Sequence, residues 1–410
     1  MQRLPIISLF AANAISMVGN VLAAISIPWF VLQTTGSASR TGITGFFTIL
    51  PVVLAGFLGG TFIDRLGYRR TSIIADLASG VTVALIPLLH YTIGLQFWQL
   101  MVLVFLGGLL DTPGSTAREA LVPDLAAKAA MPLERATSAQ HVVERASRLV
   151  GAPLAGLLIS VLGTANVLWL DAASFLVSAV LIAAVIPPAI AKPKPSAPAR
   201  YVDEVMVGLK FMGAHRLVLS MIVIVMITNF VDAAFSGVLL PVYVNRVFGN
   251  ALNLGIIVGV MGGGSVLGGI LYGTVGHRLP RYATFIATFA VVSLYAWPFA
   301  LFLPFPVILL TAAISGIAAG PLNPIIETVI FERVPSDMRG RVLGTIQAGA
   351  WLTMPLGMLF AGVLTDLLGL QNLLLALALI YLLSTLSMLF IPVLRELDQR
   401  VVPPKSVGDA

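Results

Sequence analysis

The chain has 410 residues, of which 58% are hydrophobic and 10% charged, and its mean hydropathy is +0.99. So little polar surface excludes a soluble globule, and apolar stretches that exceed the ~20 residues needed to cross a bilayer make this an integral membrane protein. The formal charge of +6 and pI near 9.8 are accounted for by cationic loops, so they give no support to nucleic-acid binding.

Hydropathy predicts twelve membrane spans, at about 5–33, 41–62, 72–93, 97–116, 139–162, 165–187, 217–239, 252–274, 281–302, 305–329, 342–364 and 371–393. The first is too long for a secretory apolar region and no small-residue cleavage site follows it, so it is expected to be retained. Of the 24 Lys and Arg, only Arg40 and Arg246 fall in loops on one side. Apart from Arg145 and Arg148, which enter span 5, the remainder cluster on the other: Arg3, Arg65 to Arg70, Arg118 to Arg135, Lys192 to Arg216, Arg278 and Arg281, Arg333 to Arg341, and the tail from Arg395. Cationic loops stay cytoplasmic, which places both termini in the cytoplasm.

Hydropathy breaks at Pro187 and Pro188, and a Lys, Pro and Ala-rich stretch follows. The expected organisation is an N-terminal six-helix bundle (1–187), a cytoplasmic linker with a surface helix (188–216), a C-terminal six-helix bundle (217–395) and a cytoplasmic tail (396–410). An internal repeat supports the two halves. Gly60, Gly67, Arg69 and Asn20 recur 209 positions later as Gly269, Gly276, Arg278 and Asn229. Arg135, Gly151, Gly156 and Gly163 recur 206 positions later as Arg341, Gly357, Gly362 and Gly369.

A carboxylate within hydrocarbon costs ~2.5–3.5 kcal/mol, so each one should face a cavity or a partner. Asp111, Asp232 and Glu327, in spans 4, 7 and 10, are the candidates best separated from loops, with Asn20 and its repeat mate Asn229 as polar companions. A sheltered Asp111 or Asp232 that took up and released a proton would supply the minimum machinery for antiport; a carboxylate held permanently by a cation or backbone donors would be structural. Asp111, Ser115 and Arg118 share one helix face, so Arg118 reads as a counter-ion for Asp111, a cytoplasmic gate latch or a topology-setting cation. Glu327 lies near Glu332 and Arg333, which suits a gate or surface role. In span 5, Glu144 and Arg148 are spaced to neutralise one another, while Gly151, Pro153 and Gly156 suit close packing or bending. Asp76 and Asp171 read as structural, Asp76 within reach of the Arg65 to Arg70 turn.

No Cys is present, and the four His (His90, His141, His215, His277) share no ligand spacing, so no metal or other cofactor is expected. The run Gly262 to Gly264 lacks the Lys and Ser/Thr of a phosphate loop and reads as a packing or bending site. No nucleophile, base and orienting group recur at a recognisable spacing, which argues against an enzyme.

The turn between the second and third spans carries Gly60, Asp64, Arg65, Gly67, Arg69 and Arg70. This pattern resembles the signature loop of the major facilitator superfamily, and the resemblance extends over about residues 5 to 395. It implies an all-α membrane protein with twelve transmembrane helices in two pseudo-symmetric six-helix bundles, in which spans 1, 4, 7 and 10 line a central cavity. It also implies that Asp64 and Arg65 latch the cytoplasmic side against helix 11 and Arg118, with Tyr68 standing where a basic residue is usual. Span 5 resembles the antiporter motif of exporters, except that Pro153 follows Ala152 and not glycine. The segments Ala117 to Pro123, Asp171 to Phe175, Arg333 to Pro335 and Arg339 to Val342 resemble the bacterial enterobactin-exporter and macrolide-efflux branch. That branch often carries Asp where this chain has Asn20, which moves the proton-carrying burden to Asp111 or Asp232.

The function these observations imply is export of an amphipathic small molecule, drug or siderophore-like, in exchange for protons by alternating access. The protein is expected in the bacterial inner membrane as a monomer, with the lipid bilayer, protons and a small molecule as its partners. A lipid or lysolipid flippase of the same fold, or a non-transporting receptor or scaffold, are the alternatives.

Overall fold

A computed structural model describes residues 3–188, 201–335 and 338–399, side chains at 56–65, 201–205, 340 and 341 excepted. The first six helices are α1 (Leu4–Thr35), α2 (Ala38–Leu66), α3 (Tyr68–Thr92), α4 (Phe97–Lys128), α5 (Leu133–Leu162) and α6 (Thr164–Val185). A shorter α7 (Tyr201–Ala214) follows the linker, whose residues 189–200 lie outside the described residues. Next come α8 (Arg216–Ala234), α9 (Leu240–Val247), α10 (Ala251–Val275), α11 (Arg281–Val292) and α12 (Trp297–Ala300). The chain continues through α13 (Phe305–Ala319), α14 (Leu322–Arg333), α15 (Arg339–Leu368) and α16 (Leu370–Ser387).

Among the described residues twelve segments are long and apolar enough to cross a membrane. The seventh is α8 and α9 joined by a π-helix over Phe235–Leu239, the ninth is α11 with α12, and the tenth is α13 with α14. Several helices outrun their hydropathy: α4 continues to Lys128, past the expected 116, and α5 starts at Leu133, ahead of 139. Hydropathy falls where a helix sheds lipid-facing side chains, but the backbone hydrogen-bond ladder continues wherever other helices shelter it.

The repeat is visible in the backbone. Gly163 ends α5 at φ 82° and ψ 155°, and its repeat mate Gly369 ends α15 at φ 85° and ψ 152°. Only glycine adopts this geometry without strain, which explains why the pair recurs.

Two compact units emerge, Met1–Ala197 with Val244–Ile256, and Pro198–Tyr243 with Ile257–Ala410. Val244–Ile256 groups with the first unit, where Gly255 lies against Gly156 and the Ala152 carbonyl. In the first unit, α1 joins two apolar layers. Ile6, Leu9 and Ala12 pack with Leu121, Leu125 and Ile182. Ala23, Ile27 and Phe30 pack with Ile86, Val104 and Phe175. Between the layers α1 turns polar, at Asn13, Ser16 and Asn20, and there the candidate site forms.

In the second unit, the last turn of α7 is built into the core: Phe211 and Met212 pack with Val218, Ile222, Ile330 and Val342. The chain's last described element, a 3-10 helix over Pro392–Asp398, buries Leu394 and Leu397. Helices α10 and α13 meet backbone to backbone, so that a Cβ at Gly268 would run into the Ile317 carbonyl, and one at Gly316 into Met261. Backbone cannot swing aside as a long side chain can. Gly268→Val is therefore expected to cost about 1–3 kcal/mol, seen as a lower midpoint of thermal unfolding in detergent. Gly262→Ala, with open space around it inside α10, should not lower the midpoint.

Candidate functional site

Arg118 is the centre of a polar network inside the first unit. It lies on α4 at 1% exposure, ten residues before the helix ends, so it is a buried group and not a cation at a helix terminus. Helical side chains lean toward the N-terminus, which carries the guanidinium back along α4 toward Asp111, two turns earlier. Its Nη2 lies 3.8 Å from Asp111 Oδ1. Its Nη1 bonds Asp76 Oδ1 on α3, and its Nε donates to Asn13 Oδ1 on α1 at 3.2 Å. The second Asp76 oxygen accepts from Ser178 Oγ on α6 at 2.7 Å. Asn20 Nδ2 donates to Asp111 Oδ2 at 3.0 Å. Four helices, α1, α3, α4 and α6, are thus tied by one guanidinium and two carboxylates.

The two carboxylates are not equivalent. Asp76 is wholly buried, with both oxygens engaged, whereas the Asp111 side chain keeps 22% exposure and its Oδ1 has no hydrogen-bond partner among the described residues. With both carboxylates ionised the trio carries one excess negative charge, and a single proton would make it neutral. Ser115 stays outside the network, donating to the Thr112 carbonyl at 2.9 Å. Asp171 on α6 is also fully buried beside Gly19 and Ser174, one of its oxygens unpartnered among the described residues.

Spacing alone did not bring Asp76, Asn13 and Ser178 to Arg118. Asp76, expected near the cationic turn, is paired 42 residues along the chain. The available signal was charge balance: a buried arginine requires carboxylates, and Asp76 is an acidic residue inside an apolar span. The repeat copy lacks the network, since the position 209 residues beyond Asp76 is the buried Phe285.

The other candidates are not bonded to it. Asn229 donates to the Ala350 carbonyl at 3.1 Å, tying α8 to α15. Asp232 is exposed on α8, in the second unit, and Glu327 is exposed on α14, outside the Arg281–Glu332 and Arg333–Glu396 pairs nearby. Arg148, 70% exposed, pairs with Glu144 at 3.1 Å. Gly151 closes on Val21 of α1, Gly156 on Gly255, and the partly buried Pro153 lies within the unbroken α5. In the signature turn, the side chains of Asp64 and Arg65, and any contact of Gly60, lie outside the described residues. Gly67 starts α3 at φ 80°, Arg69 donates to the Ala183 carbonyl near the end of α6 at 2.7 Å, and Arg70 is exposed. Arg69 so placed offsets the negative end of that helix.

The Major Facilitator Superfamily pattern matches residues 9–310 and 222–408. The chain belongs to this superfamily. Among its curated relatives, the multidrug efflux pump Tap of Mycobacterium tuberculosis is 32% identical over 401 residues, covering 97% of this chain and 96% of the pump. Macrolide efflux protein A of Streptococcus pyogenes is 20% identical, covering 90% of this chain and 91% of that one. Among solved structures, the nucleoside transporter NupG superposes with a TM-score of 0.72 at 13% identity, covering 94% of this chain and 98% of its own. That likeness shows the superfamily fold of twelve helices in two pseudo-symmetric bundles. As a superfamily member the chain is a multi-pass membrane transporter for a small molecule.

Proposed function

We propose that this superfamily member is a bacterial inner-membrane exporter of amphipathic, drug-like molecules, driven by proton entry, with both termini cytoplasmic. The efflux activity named for its Tap and macrolide-efflux relatives supports the export direction. The observation that carries the coupling is the shared guanidinium: Arg118 bonds Asp76 and lies 3.8 Å from Asp111.

In this reading Asp76 and Asn13 hold Arg118 in place, and Asp111 is the carboxyl that exchanges protons. A proton on Asp111 cancels the excess charge and removes its attraction for Arg118, while Asn20 keeps its bond by donating to the unprotonated oxygen. Loss of the proton restores the pull between Asp111 and Arg118, drawing α4 toward a different balance with α1. Alternation of access between two six-helix bundles, 1–187 and 217–395, converts that change into outward movement of the substrate. The Asp64 and Arg65 latch and the Gly151, Pro153 and Gly156 segment serve as the gate and helix-packing elements of the cycle, with Asn229 holding α8 to α15 and Glu327 at the rim. The protein works as a monomer.

The reading is tested with purified protein in liposomes and a panel of fluorescent amphiphiles. Accumulation of at least one of them when a pH gradient is imposed, and none without it, is the expected result. Movement of every substrate regardless of the gradient would remove proton coupling.

A further inference from the structure

The first unit engages Asp76 and Asp111 with partners, but Asp232 in the second unit has none among the described residues. It makes no ion pair or side-chain hydrogen bond among the described residues, and it is exposed on α8. Ser236 Oγ donates to the Asp232 backbone carbonyl and not to its carboxylate. Arg216, the basic residue of α8 itself, is 16 residues away, about 24 Å along the helix. A carboxyl group this far from the cation of its own helix, within an apolar membrane span and without an ion pair among the described residues, lacks the partner that intramembrane charges require.

Its surroundings fit a ligand. A π-helix, Phe235–Leu239, begins three residues beyond Asp232, and such segments gather at functional sites. Inside it, Gly237 lets the polarisable Met358 thioether lie against the backbone. Tyr295 is 7% exposed, and its hydroxyl has no hydrogen-bond partner among the described residues. Phe235, one turn from Asp232, packs edge-on against Tyr295 at 5.2 Å and Phe299 at 5.1 Å, which fixes the aromatic wall beneath this face.

We infer that Asp232 is the recognition carboxylate for the positive charge of lipophilic cationic substrates, with the Tyr295 and Phe235 wall supporting it. The inference deepens the exporter reading by dividing its labour: Asp111 handles the proton and Asp232 reads the charge on the cargo. A hydrophobic cation supplies the missing partner while its apolar groups suit the surrounding span.

The test is equilibrium binding to full-length protein in nanodiscs without any gradient, so it does not depend on transport. The probes are tetraphenylphosphonium and its uncharged analogue triphenylphosphine oxide. Asp232→Asn should weaken phosphonium binding by about 10-fold or more and leave the uncharged probe within about 2-fold, which also reports an intact fold. Asp232→Glu should retain the cation. Equal phosphonium binding by wild type and Asp232→Asn, no phosphonium binding by wild type, or equal loss of both probes in the variant would each overturn the assignment. Cation binding that depends on Asp232, in a protein that shows no directional transport, would uphold the site and sink the exporter reading alone.

Discussion

Arg118→Ala is expected to destabilise the protein by about 3–5 kcal/mol, lowering its thermal unfolding midpoint in detergent by many degrees. The loss is large because the substitution removes one partner of a buried set. Asp76, wholly buried, keeps only the Ser178 hydroxyl, and Asn13 loses the Nε donor. Neutralising both partners, as in Asp76→Asn with Arg118→Gln, should recover most of the stability, since amides satisfy one another without a desolvated charge. By contrast, Arg148→Ala removes a pair that is 70% exposed on the arginine side, where screening limits the cost to about 1 kcal/mol or less. If Arg118→Ala and Arg148→Ala unfold at the same temperature, Arg118 does not hold the four helices together.

The second large effect is functional. Asp111→Asn keeps the shape of the side chain and an oxygen for Asn20, but it cannot carry a proton. Gradient-driven export should fall by about 100-fold or more, to the level without a gradient, as for loss of an essential proton-transfer group. Exchange of labelled for unlabelled substrate, which needs no net proton movement, should survive. The partial exposure of Asp111, set against the full burial of Asp76, is the reason the effect is assigned there. Asp76→Asn should instead reduce the amount of folded protein before it alters coupling, which is read by comparing transport per correctly folded molecule.

Much of the fold was legible because membrane spans announce themselves by length and hydropathy. Twelve spans and the recurrence of Gly163 as Gly369 could be read from the sequence, and both have backbone counterparts. The ends of α4 and α5 could not, because hydropathy reports exposure to lipid and not the persistence of a helix. That shortfall kept a cation at a helix end among the readings of Arg118, when α4 carries it deep inside the unit. The alignment of Asp111 and Arg118 followed from helical spacing. The tie from Arg118 to Asn13, 105 residues earlier, depends on how α1 packs beside α4, which a linear pattern does not contain. For Asp232 the sequence showed a carboxylate in need of shelter, but only the structure revealed that no described side chain provides a partner.

Substrate-driven proton flux into liposomes tests the account most directly. Liposomes carrying wild-type or Asp111→Asn protein would enclose a pH-sensitive dye, with a transported amphiphile added on one side and no pH gradient imposed. The account predicts proton movement opposite to the substrate for wild type and none for Asp111→Asn, although the variant still exchanges substrate. Equal proton movement in both proteins, or substrate transport by wild type with no proton movement, would contradict Asp111 as the coupling carboxylate.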